Sequence, residues 1–210
     1  MHKVLSILFA CVIGTAAHAQ IKAVTEEGDE VMLHADGTWA YVEADVAEIV
    51  ALPTNPNTFT KSSNSTFLLK SKTLGVGVYL NPKKWKFNKP ENNDDAEFEF
   101  EMKGEDAYGL IITERMSIPI ENLKQLAYEN AKSVSSDLRI VEQEYRIVNG
   151  VKVIYMVMAA KVHGIDIYYL GYYYSSPEGS VQFLCYTGAG LVQQYEDAIT
   201  ELLNGFVKLD

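Results

Sequence analysis

Strict alternation marks the most legible strand of the chain. Between residues 97 and 102, Phe98, Phe100 and Met102 alternate with Glu97, Glu99 and Glu101, so one face is apolar and the other solvated. Residues 67–71 and 75–80 read as strands before it. Pro82-Lys83-Lys84-Trp85 reads as a turn, with Lys86-Phe87 continuing beyond. Gly104-Glu105-Asp106 turns the chain into a strand over 108–114. The period then changes. Ile120, Leu123, Leu126, Ala127, Ala131 and Val134 fall at helical spacing, and Pro119 suits the helix start. Residues 138–148 return to strand. Asn149-Gly150 supplies the positive-φ pair of a tight hairpin into 151–162. His163-Gly164 leads to 165–175, and Ser176-Pro177-Glu178-Gly179 to 181–187. A closing helix over 191–206 carries a stripe of Leu191, Tyr195, Ala198, Ile199, Leu202 and Phe206. The order is three or four strands, a helix, four strands and a helix. Short turns between consecutive strands predict an α+β fold, a mainly antiparallel sheet with two principal helices packed on it.

The N-terminal third is organised differently. Met1-His2-Lys3, the apolar run 4–13 and Ala17-His18-Ala19 make the three regions of a secretory signal peptide over 1–19, cleaved after Ala19. The run is too short to span a bilayer, so no transmembrane segment is expected after cleavage. Leu8-Phe9-Ala10-Cys11 resembles a lipoprotein signal. Phe9 is bulky for that motif, and the Ala-x-Ala site fits better. Once the signal is removed, Cys185 is the lone cysteine, so no intramolecular disulfide is available. A periplasmic or secreted protein held together by its core is expected. Residues 20–43 read as a small β-meander with a turn at Asp36-Gly37. It resembles a short meander found at the start of bacterial envelope proteins, through Asp36-Gly37-Thr38-Trp39 followed by Tyr41. A meander this small cannot be stable alone, so Trp39 and Tyr41 are expected to dock on something. Residues 44–65, with Pro53-Thr54-Asn55-Pro56-Asn57, have linker composition and separate the meander from an α+β domain over 66–210.

The domain resembles the PsbP-like superfamily, which includes bacterial DcrB-like envelope proteins. The likeness rests on Gly75-Val76-Gly77-Val78-Tyr79-Leu80-Asn81-Pro82 with Trp85 soon after, on the Val148-Asn149-Gly150 hairpin, and on the amphipathic helix ending at Phe206. The resemblance implies a PsbP-like fold and a non-catalytic module that binds or assembles other proteins. It transfers no site residue.

Composition narrows the function classes. Of 210 residues 48% are apolar and 22% charged, the balance of a chain that folds around a core. A net charge of −10 argues against nucleic acid as the principal partner. Within the mature chain His34 and His163 flank turns, and the signal peptide holds the other two histidines; a zinc site wants ligands held together. Cys185 lies mid-strand with no base or cation beside it, as a buried, inert thiol does. The acidic run Asp94, Asp95, Glu97, Glu99, Glu101, Glu105 and Asp106 lacks a calcium loop and reads as a solvated face. Gly75-Val76-Gly77 is no phosphate loop, and Gly188-Ala189-Gly190 reads as a strand-to-helix connector. No catalytic set, metal or cofactor is therefore expected.

The tyrosines stand out. There are 13, and Tyr155, Tyr168, Tyr169, Tyr172, Tyr173, Tyr174 and Tyr186 crowd three successive strands. One face carries Tyr168, Tyr172 and Tyr174, the other Tyr169 and Tyr173. A tyrosine-lined sheet face suits binding, since each ring offers apolar area and a polar tip at low entropic cost. The first expectation is a non-enzymatic module that binds an envelope protein or small ligand through Tyr168, Tyr172, Tyr174 and Tyr155. The second is an envelope stress or assembly accessory protein docking through Trp39 and Tyr41 of the meander. A metal-dependent hydrolase built on the acidic run ranks last.

Overall fold

The structure is a computed structural model that describes residues 21–25, 30–34, 36–41, 52–90 and 93–209. The expected signal peptide and residues 42–51 lie outside the described residues. Strands β1 (Ile21–Val24), β2 (Glu30–Leu33) and β3 (Trp39–Tyr41) form an antiparallel sheet in that order. Gly37 turns at φ 85°, and the Asp36 carboxylate accepts the Thr38 N–H at 2.9 Å.

Fourteen strands and two helices are described in all. β4 (Thr54–Phe59), β5 (Phe67–Lys70), β6 (Val76–Leu80), β7 (Trp85–Asn88), β8 (Phe98–Met102) and β9 (Ala107–Glu114) precede helix α1 (Ile120–Val134). β10 (Arg139–Val148), β11 (Val151–Val162), β12 (Ile165–Ser176) and β13 (Gly179–Gly188) follow. A single 3-10 turn, Ala189–Leu191, enters α2 (Val192–Leu203), and β14 (Phe206–Lys208) closes the chain. The Asn149-Gly150 and His163-Gly164 turns both run at positive φ, as tight hairpins between right-twisting strands require.

The strands divide into two further sheets. One has eight strands in the order β4-β10-β11-β12-β13-β9-β8-β7; the other has three, β14-β6-β5. All pairs are antiparallel except β4 with β10. Two expectations need correction. The linker proposed over 44–65 contains β4, an edge strand of the large sheet. Its register with β10 is irregular between Tyr145 and Ile147, beside Pro56, which has no N–H for the ladder. The final helix stops at Leu203, and Phe206 belongs to β14, which pairs with β6. Gly205 makes this turn possible. It packs against the backbone of β6, where an added Cβ would lie 1.9 Å from the Tyr79 carbonyl oxygen.

The large sheet is buried on both faces over its centre, as the nearly continuous apolar run of β11 demands. One face, carrying Val153, Tyr155, Leu170, Tyr172, Phe183 and Cys185, meets α2 and the small sheet. The opposite face, carrying Ile154, Met156, Met158, Ala160 and Tyr173, meets α1.

Candidate functional site

The tyrosines singled out from the sequence form no open face. Tyr172, Tyr174 and Tyr155 are buried, with Tyr172 only 1% exposed, and the half-buried Tyr168 packs against the same core. Alternation sends them to the side covered by α2 and the small sheet. Tyr172 donates its hydroxyl hydrogen to Asn204 Oδ1 at 2.7 Å. Tyr174 packs on the Phe206 ring, centroids 5.5 Å apart, and Tyr155 lies under the Arg146 guanidinium. Tyr172 and Tyr174 tie the C-terminal segment to the sheet, and Tyr155 packs within the sheet against β10. On the meander, Trp39 is 55% exposed, and Tyr41 lies opposite Val31 in the β2–β3 ladder.

The open tyrosine surface lies on the opposite face. α1 packs on β11 and β12, while β13, β9 and β8 continue the sheet beyond it. There the registers place Tyr169 of β12 opposite Tyr186 of β13, and Tyr186 opposite Tyr108 of β9. The rings form one row, with centroids 5.9 Å and then 5.5 Å apart, and the second pair is stacked. All three are half-buried, as are Leu184, Leu110 and Ile112 on the same face. Beyond Tyr108 the row reaches Glu101 and then Lys86, which form an ion pair at 2.9 Å. A groove of about 690 Å³ runs along the row, between the end of α1 at Val134 and the acidic rim of Glu99 and Glu101.

Two phenols of the row are held neutral by their surroundings. Burial raises the Tyr169 phenol above its ordinary value, and burial together with the nearby Glu99 carboxylate does so for Tyr186. Both therefore present protonated hydroxyls at neutral pH, able to donate as well as accept. The floor offers aromatic area with polar tips; the rim offers carboxylates.

The remaining sequence candidates fall elsewhere. Cys185 is fully buried on the α2 face, and burial pushes its thiol up. His163 sits in its positive-φ turn and does not line the groove. Glu97 is held by Ser71, Thr113 and the Lys72 N–H, bracing the β5–β6 turn against β9. Among the described residues, no three His, Cys, Asp or Glu side chains gather into a metal-binding group. Tyr108 and Tyr186 were legible as strand tyrosines. What was missing was the cross-strand register that lines them up with Tyr169.

A large, mainly antiparallel sheet with one helix on each face, in this order of elements, is the PsbP-like fold. Cyanobacterial PsbP from Synechocystis superposes on this chain with a TM-score of 0.54 at 11% identity, over 68% of this chain and 91% of its own. LpqN of Mycobacterium tuberculosis, described as involved in cell envelope biogenesis, aligns with a TM-score of 0.49 at 11% identity, over 67% of this chain and 88% of its own. A Pseudomonas aeruginosa protein of unknown function, described as a putative regulator, aligns with a TM-score of 0.41 at 11% identity, over 63% and 89%. No protein-family model and no curated protein sequence matches the chain. At such identity, what is shared with the cyanobacterial protein is the fold. Among the described residues, no helix is long and apolar enough to cross a membrane.

Proposed function

We propose that the protein is a non-catalytic, extracytoplasmic binding module that takes its partner on the open sheet face along Tyr169, Tyr186 and Tyr108. The row of three rings, half-exposed beside a groove of about 690 Å³, carries the reading. Rigid tyrosines bury area at little entropic cost, and their hydroxyls satisfy the polar groups of a partner. The signal-like N-terminus supports an extracytoplasmic address. The test is capture from envelope extract by the 20–210 protein, beside a Tyr108→Ser/Tyr186→Ser variant shown to be folded. Loss of the captured partner in the variant supports the face. Equal capture by both overturns it.

A second reading has its own observation. Trp39 and Leu33 lie opposite each other on the meander, 55% and 38% exposed, which suits docking through that sheet. Deleting residues 20–43 would then abolish capture, while the tyrosine variant would retain it.

A further inference from the structure

Beneath the C-terminal half of α1 lies a second cavity, of about 180 Å³. Ala127 and Ala131 of the helix form its roof, and Met158, Ala160 and Leu184 of the sheet line its floor. Small side chains on the helix and on β11 leave the space that larger ones would fill. It shares Val134, Val162 and Tyr169 with the tyrosine groove, so the two adjoin.

Tyr173 also lines this cavity, and it is fully buried. Among the described residues no group bonds its hydroxyl. Among the described residues, buried side-chain polar atoms without a partner occur on Ser65, Trp85, Tyr173 and Ser180, and of these four residues Tyr173 is the one that lines the cavity. A buried hydroxyl with no bond is costly, and a group supplied from outside would relieve that cost. Gln182, opposite Tyr173 across β12 and β13, brings an amide to the same wall.

We propose that this cavity is a binding site for a compact, ring-sized and mostly apolar molecule bearing a single hydrogen-bonding group, which Tyr173 engages. The volume sets the size: apolar cavities of about 150 Å³ accept benzene. The Tyr173 hydroxyl, with the Gln182 amide beside it, sets the polar end. This site goes beyond the open-face reading and does not depend on it.

The probes are p-cresol, indole and toluene, titrated into the 20–210 protein and followed by thermal shift and by NMR of the alanine methyl groups. Saturable binding of p-cresol or indole is expected. Ala131→Leu, which fills the roof with another good helix former, should abolish it. Tyr173→Phe keeps the ring and should weaken p-cresol about fivefold to tenfold while leaving toluene unchanged. Tyr108→Ser/Tyr186→Ser should bind the probes like the native protein, which separates this site from the open face. No saturable binding by any probe, as for a cavity holding water only, overturns the proposal. So does binding that survives Ala131→Leu. Equal p-cresol affinity in Tyr173→Phe overturns the hydroxyl's part in it.

Discussion

Arg146 lies between two aromatic rings, and its removal gives a sharp test of what holds the α2 side of the sheet together. Its guanidinium carbon is 3.4 Å from the Tyr155 centroid and 4.6 Å from that of Phe59. Its Nε donates to Glu144 Oε1 at 2.6 Å, and the two side chains are only 12% and 14% exposed. Burial opposes the charge, but the bonds to Glu144 and Tyr172 outweigh it and hold the guanidinium above its usual value. Arg146→Ala forfeits the stacking on both rings, worth about 1–2 kcal/mol. It also strands the Glu144 carboxylate. A fully buried pair broken this way costs about 3–5 kcal/mol. The figure here is nearer 1–2 kcal/mol, roughly, because Asn55 Nδ2 still donates to Glu144 at 2.9 Å and water reaches the group. The expected loss is about 2–4 kcal/mol, or roughly 4–15 °C in Tm for a domain of this size. Urea unfolding followed by the fluorescence of the buried Trp85 measures it. Adding Glu144→Gln should restore about 1 kcal/mol, since it removes the stranded charge. A loss below about 0.5 kcal/mol, or a double variant less stable than Arg146→Ala alone, would refute the reasoning.

Three further outcomes are expected. Gly205→Ala should cost more than about 3 kcal/mol or prevent folding, because its Cβ meets the β6 backbone; Gly190→Ala, whose Cβ meets nothing within 4 Å, should stay within about 0.5 kcal/mol, and similar urea midpoints for the two would contradict this. Burial works to raise the Glu201 carboxyl, but Lys84 at 2.7 Å, Ser62 and Asn81 outweigh it and hold it below its ordinary value of 4.5. Its contribution is present in full above that value and lost as pH falls through the lower folded one, so Glu201→Gln should be less stable than native at pH 7, by less than about 1 kcal/mol. The difference should close below pH 4.5, and a constant difference down to about pH 3 would count against the pairing. Cys185, buried with its thiol pushed up, should resist a thiol reagent in the native 20–210 protein and react on unfolding. Rapid labelling without denaturant would show that the α2 face opens.

Much of the fold was legible because its signals are local. The alternation of β8, the helical spacing of α1 from Ile120 to Val134, and the Asn-Gly turn at 149–150 each reflect the geometry of a single element or turn. They sufficed for an α+β fold with a mainly antiparallel sheet and two helices. The division of the tyrosines into two sets was local too, since side chains alternate along β12. Which set faces solvent was not. Tyr172 and Tyr174 are covered because β14 and β6, remote in sequence, pair into a second sheet that packs with α2 on that side. Tyr169, Tyr186 and Tyr108 remain accessible because a 15-residue helix spans only part of an eight-stranded sheet. The same holds for β4, whose polar, proline-containing sequence reads as a linker. It becomes a strand only because the edge of β10 offers unpaired backbone groups. Local periodicity determines which residues share a face. Only the long-range pairing of strands decides which face is covered, because the covering layer comes from another part of the chain.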